Sequence, residues 1–369
     1  MGMGVEGKTP SVRTAIAEMQ EYVPVRTSES LAQKLGLRLD QIMKLDANEN
    51  PYGCSPKVLR ALGRYSSYHR YPDPQQEETR SLLAEYVGVP ADYLLLGMGA
   101  DELIDYVLRL YVETGDEVIE LPPTFGMYSF STHVCGGKLV PVPRGERFEI
   151  DLEGVERAIT ERTKVIFVDS PNNPSGGMPS MEDVERLLAT GRVVVLDEAY
   201  SEFSNLTFAP LVQRYPNLVV LRTFSKWAGL AGLRVGYGVF PLPMLRQLWK
   251  MKQPYNLNVA AEVAVHESLL DSKRLLAKVK RIIRERGRLL GMLESLDFLR
   301  VYPSQGNYIL CDVLEGNAME LMQFMAHRGI ILRYFKKPRL MNSIRISVGL
   351  PEHTDAVVAG LREWRASQG

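Results

Sequence analysis

The sequence predicts an α/β protein with one large domain built on a mostly parallel seven-stranded sheet and a smaller α+β domain. Two patterns predict it. From about residue 93 to 240, short apolar runs rich in β-branched residues alternate with helical patterns, the mark of successive βαβ units. Beyond Pro241 the alternation stops, and two long helical patterns precede a mixed group of strands and helices.

The strands of the large domain are expected at Tyr93–Gly97, Glu117–Leu121, Lys138–Val142, Lys164–Val168, Arg192–Asp197, Leu218–Thr223 and Val235–Phe240. Several are apolar almost throughout, as strands covered on both faces of a sheet are. In the second domain, helices are expected over Asn258–Leu270 and Asp271–Leu296. Strands follow near Leu299–Tyr302, Asn307–Asp312, Ile330–Tyr334 and Ile344–Val348. The longer helix gathers Leu275, Leu276, Val279, Ile282, Ile283, Leu289, Leu290 and Leu293 on one stripe and places its many lysines and arginines elsewhere, a solvated face rather than a nucleic-acid surface. The expected plan is an N-terminal segment (1–44) packing with the small domain, a large ligand-binding domain (45–240) and the small domain (241–369).

Lys plus Arg and Asp plus Glu balance at 44 each, so no net field draws the chain to nucleic acid or to an anionic membrane. Any anion site must be local. Cys54, Cys135 and Cys311 form no Cys-x-x-Cys pair, and the histidines never reach the His-Glu-x-x-His spacing, so neither disulfides nor a metal centre are expected. No apolar run approaches the ~18 residues that span a bilayer. A reducing, cytoplasmic setting is expected, and a plastid remains compatible because a removed targeting segment would leave no trace.

In an open parallel sheet, ligands bind beyond the carboxyl ends of the strands, so the polar residues that follow each apolar run are the candidate site. Gly97-Met98-Gly99-Ala100-Asp101-Glu102 leaves a strand and opens a helix, presenting free N–H groups to an anion. A second run ends in Asp169-Ser170-Pro171-Asn172-Asn173-Pro174, a rigid turn that displays the Asn173 amide. A third delivers Asp197-Glu198-Ala199-Tyr200, a buried carboxylate that needs a cation beside it. The fourth runs into Thr223-Phe224-Ser225-Lys226 and, eight residues on, Arg234: an amine for a carbonyl group, with hydroxyls and a guanidinium for a phosphate. Each has a plain structural alternative, namely a tight turn, loop punctuation, a salt bridge or a surface lysine. Together they meet the needs of one cofactor, pyridoxal 5'-phosphate (PLP).

The Asn-Pro turn, Asp-x-x-Tyr and Ser-Lys-x-x-x-Leu-x-Gly-x-Arg resemble the fold-type I PLP aminotransferases. The resemblance extends through Lys44–Gly53, Arg70–Pro74, Pro122–Tyr128, Gly306–Leu310 and Ile344–Gly349 to the histidinol-phosphate aminotransferase family, its plant members especially. It implies transamination of L-histidinol phosphate with 2-oxoglutarate, giving imidazole-acetol phosphate and L-glutamate. Lys226 would carry PLP as a Schiff base and move the substrate α-proton, and Asp197 would face the ring nitrogen. Asn173 and Tyr200 would bond the ring oxygen, Phe125 would lie on the ring face, and Ala100, Asp101, Thr223, Ser225 and Arg234 would hold the phosphate. Tyr71 would reach that phosphate from a neighbouring subunit, which implies a homodimer. Arg333 and Arg345 would bind the substrate's anionic groups, and Tyr22 would lie near the substrate, although Glu21 replaces the family's proline there. The rivals on the same scaffold are an aromatic aminotransferase and a threonine-phosphate decarboxylase, which share the cofactor residues and differ at the substrate end.

Overall fold

The computed structural model describes residues 11–19, 21 and 24–368. Its strands are β1 (Met43–Leu45), β2 (Leu94–Gly97), β3 (Glu117–Glu120), β4 (Lys138–Pro141), β5 (Thr163–Asp169), β6 (Val193–Asp197), β7 (Leu218–Thr223), β8 (Gly236–Val239), β9 (Leu299–Tyr302), β10 (Tyr308–Val313), β11 (Ile330–Tyr334) and β12 (Ser343–Ser347). The large sheet has the order β2-β8-β7-β6-β5-β3-β4. All pairs in it are parallel except those of β8, which runs antiparallel to both β2 and β7. The seven expected strands are all present, and β2, β3, β6, β7 and β8 are buried along their whole length. Layers on both faces explain the unbroken apolar runs: Ile166, Val168, Val194 and Leu196 join one cluster, while Val165, Phe167, Val193 and Val195 join another.

The reversal at β8 positions the site. Gly236, its first residue, is paired with Gly97 on one side and Thr223 on the other, where two ligand-facing loops leave the sheet. A side chain there would place its Cβ 2.7 Å from Ala100 N and Arg222 O, so only glycine lets the two loops close together.

The second sheet, β1-β11-β12-β10-β9, contains one strand more than the sequence predicts. Met43–Leu45 pairs in parallel with Ile330–Leu332 at the sheet edge. Three residues are too few to show a period of two, which is why the pattern hides this strand. Packing does not change hands at residue 241: helix Leu242–Met251 buries Met244, Leu245 and Leu248 in the same cluster as Leu103 and Val107 of helix Gly99–Tyr111. No helix is long and apolar enough to cross a membrane, and no cluster of metal-ligating side chains occurs, among the described residues.

Candidate active site

The carboxyl ends of β5, β6 and β7 and the start of helix Gly99–Tyr111 open onto one cavity of about 280 Å³, lined by Lys226, Asp197, Tyr200, Asn173, Phe125, Ala100, Asp101, Thr223, Ser225 and Arg234. All ten are expected site residues. An outer cavity of about 1380 Å³ shares Lys226, Tyr200 and Asn173 and adds Arg333, Arg345, Lys336 and Lys337 to its lining.

Lys226 follows β7 and donates from Nζ to the Ala47 carbonyl at 2.9 Å. Burial, with Arg345 nearby, pulls its amine down to about 8, so a substantial share is neutral near physiological pH. Asp197 lies at the tip of β6 and accepts from the Tyr128 hydroxyl at 2.8 Å and from the Ala199 N–H at 3.0 Å. Burial pushes its carboxyl up to about 7, because neither neutral donor replaces the lost solvation of a charge. Directly behind, Arg222 pairs with Glu202 at 2.7 Å and Glu198 at 3.8 Å, tying the ends of β6 and β7 together in the interior.

Asp169 sits at the end of β5, in register with Asp197. Its carboxylate accepts from Arg144 (3.0 Å), the Asn172 amide (2.7 Å), the Thr124 hydroxyl (3.0 Å) and the Asn173 N–H (2.8 Å), which fixes the Asn-Pro turn. Arg345 donates to Asn173 Oδ1 and, at 2.7 Å, to the Asp46 carbonyl. With its oxygen engaged by Arg345, the Asn173 amide keeps its N–H groups available as donors. Arg345 is buried, and burial lowers its guanidinium from the ordinary value. It is opposite Arg333 across the β11–β12 pair. Arg234 reaches Asp101 at 3.0 Å and Ser225 at 3.4 Å.

Residues 40–361 match the family model for aminotransferase class I and II. The chain belongs to the class I and II aminotransferases. It is 46% identical over 364 residues to a histidinol-phosphate aminotransferase of Roseiflexus castenholzii, covering 96% of this chain and 98% of that one. It is 43% identical over 356 residues to the chloroplastic histidinol-phosphate aminotransferase 1 of Arabidopsis thaliana, covering 96% of this chain and 85% of that one. The crystal structure of the Sinorhizobium meliloti histidinol-phosphate aminotransferase in complex with PLP superposes with a TM-score of 0.86 at 26% identity, over 98% of this chain and 99% of that one.

One expected site residue of this aminotransferase, assigned to a neighbouring subunit's site, is away from both cavities. Tyr71 is 80% exposed, lines neither cavity and stacks on Tyr255 at 4.3 Å. Tyr22 lies outside the described residues. Sequence reasoning also passed over Tyr128, Asp169 and Arg144. Asp169 had a usable signal, since it ends an apolar run as Asp197 does. Tyr128 had none: it reads as a core aromatic and does stack on Phe167 at 4.6 Å, yet its hydroxyl serves Asp197.

The carboxyl of Asp197 makes a pH prediction for this aminotransferase without cofactor. With its pKa at about 7 in the folded state against an ordinary 3.8, the folded protein keeps a proton that the unfolded chain releases. That contribution to stability is therefore complete below about pH 4 and is lost as pH rises through about 7, by a few kcal/mol. Denaturant melts of cofactor-free protein from pH 4.5 to 8 should show the decline, and Asp197→Asn should make it shallower, the remainder belonging to other carboxyls raised by burial such as Glu120, also pushed up to about 7. An identical slope in the variant would refute the assignment.

Proposed function

We propose that this aminotransferase binds PLP at Lys226 and transaminates L-histidinol phosphate with 2-oxoglutarate, giving imidazole-acetol phosphate and L-glutamate. The observation that carries it is the joining of the Lys226–Asp197 cavity to a wall formed by Arg333 and Arg345, in a chain nearly half identical to named histidinol-phosphate aminotransferases. The residues present fit PLP. Asp197 is a buried carboxylate held only by neutral donors, and a protonated ring nitrogen would supply the missing cation. Gly99 leaves room for the Arg234 guanidinium, whose Nη2 would lie 2.6 Å from a Cβ placed there.

When bound, PLP supplies an aldehyde carbon for amine exchange and a protonated ring that takes up the electron pair released at the substrate α-carbon. The chain does the rest. Lys226 would hold the cofactor through its partly neutral amine and, as a free amine, would move the proton at the substrate α-carbon. Asp197 holds the ring nitrogen protonated. Asn173 and Tyr200 donate to the ring oxygen, Phe125 covers a ring face, and the Ala100 and Asp101 N–H groups with Thr223, Ser225 and Arg234 receive the phosphate. Arg333 and Arg345 receive the phosphate of one substrate and the carboxylates of the other through charge-assisted pairs. Tyr71 completes the phosphate site of a second subunit, so the enzyme works as a homodimer. Its near-full exposure beside Tyr255 is what an interface position would show in one chain.

The decisive test is a spectral titration of the PLP-loaded protein with L-histidinol phosphate. The visible band of the lysine-linked cofactor should vanish and return on adding 2-oxoglutarate. A band that ignores histidinol phosphate but answers to aromatic amino acids or phosphothreonine would overturn the substrate. A smaller test probes the phosphate end. Gly99 has φ +77°, so Gly99→Ala combines backbone strain with displacement of Arg234 and should weaken PLP binding by about tenfold or more in equilibrium dialysis.

A further inference from the structure

Asn48 is a buried residue with a left-handed backbone (φ 54°), outside every role assigned above. Its amide nitrogen donates to the Tyr200 hydroxyl oxygen at 3.0 Å. Its backbone N–H donates to Ser347 Oγ at 2.9 Å, and that hydroxyl donates back to Asn48 Oδ1 at 2.9 Å. Asn307 bonds the Asn48 carbonyl at 3.0 Å. Ser347 ends β12 and Asn307 precedes β10, so the small sheet holds Asn48 through three hydrogen bonds from two residues.

The donor and acceptor inventory leaves one consistent arrangement. Ser347 Oγ already accepts from the Asn48 N–H, and its single proton needs an acceptor, which Asn48 Oδ1 provides. Were the amide turned over, the buried Ser347 proton would have no acceptor among the described contacts, a cost of the kind folded proteins avoid. The amide N–H must therefore face Tyr200, the Tyr200 oxygen must accept, and the phenol proton must point elsewhere. The free direction is the cavity that Tyr200 lines.

Resting on the proposed PLP site, we propose that Asn48 is a positioning residue for Tyr200: it fixes the phenol as a donor toward the cofactor's ring oxygen and makes that donor depend on the seating of β12 through Ser347. Asn173 is set in the same manner by Arg345, a neighbour of Ser347 on that strand. Both donors to the ring oxygen are thus oriented by β12, so the electronic state of the cofactor reports how the small sheet sits.

The test reads the pH midpoint of the visible band in PLP-loaded protein, in two uncharged variants, Asn48→Ala and Ser347→Ala. A donor lost from the ring oxygen raises the proton affinity of the lysine linkage. Each variant should move the midpoint upward by about half to one pH unit, the size of one weakened hydrogen bond to a charged group. Tyr200→Phe should move it at least as far, and adding either variant to Tyr200→Phe should move it no further. A merely structural role predicts the opposite, an added shift in the Tyr200→Phe background, and that result would overturn the proposal. So would an unmoved midpoint in both single variants. If unaltered protein with PLP shows no visible band, the cofactor reading itself fails, and this inference falls with it.

Discussion

Lys226→Ala should lose transamination by about 10,000-fold or more while keeping its fold and much of its affinity for PLP. The loss adds two functions that no neighbour can take over. One is the covalent exchange step, which needs a primary amine at that place, and the other is proton transfer at the substrate α-carbon, worth roughly 100- to 10,000-fold by itself. Among the described residues the only other lysines lining either cavity are Lys336 and Lys337, and they line the outer cavity alone. Stability should change little, because the substitution removes a buried amine whose single hydrogen bond is to the Ala47 carbonyl. The donors proposed for the phosphate at Ala100, Asp101, Thr223, Ser225 and Arg234 and the carboxylate of Asp197 are untouched, so PLP should still bind, but without the band of the lysine linkage. Adding small primary amines should recover part of the rate, since a diffusible base can enter the space that the side chain leaves. A variant retaining a tenth of the rate, with no response to added amine, would remove Lys226 from the chemistry.

The site was legible where chemistry follows a strand. An apolar run that is buried on both faces must end at the sheet edge, so the next polar residue is delivered to the ligand side; Asp197, Thr223 and Lys226 were found by that rule. Asp169 obeys the same rule and was passed over because the turn behind it drew attention to Asn173. Residues that act from behind the site follow no local rule. Asn48 meets Ser347 across 299 positions, and nothing in the segment around either residue announces the contact. Arg144 reaches Asp169 from a loop whose sequence reads as a simple connection. The substrate arginines, Tyr71 and Tyr22 came from family resemblance alone. Their spacing in the chain carries no sign of a common target, although Arg333 and Arg345 turn out to be register partners on adjoining strands.

Asp197→Asn should cost about 1,000-fold in kcat with a much smaller change in KM, since the lost interaction strengthens as negative charge spreads into the ring during proton removal. The replacement has nearly the same shape; its one amide oxygen can keep the Ala199 N–H while its NH2 donates to the Tyr128 oxygen, so the loss reports charge rather than a hole in the core. With PLP seated as proposed, the Asp197 carboxylate and a protonated ring nitrogen would compensate each other's charge; each alone is costly in that interior, and together they would form a satisfied pair. The same pairing should bring the Asp197 carboxyl well below the value of about 7 that burial imposes on it without cofactor. Loading with PLP should therefore remove much of the loss of stability between pH 4 and 7 in the unaltered protein. In Asp197→Asn it should leave the slope of the already shallower profile unchanged. A profile in which PLP stabilises both proteins equally at every pH would separate Asp197 from the ring nitrogen, whatever the kinetics showed.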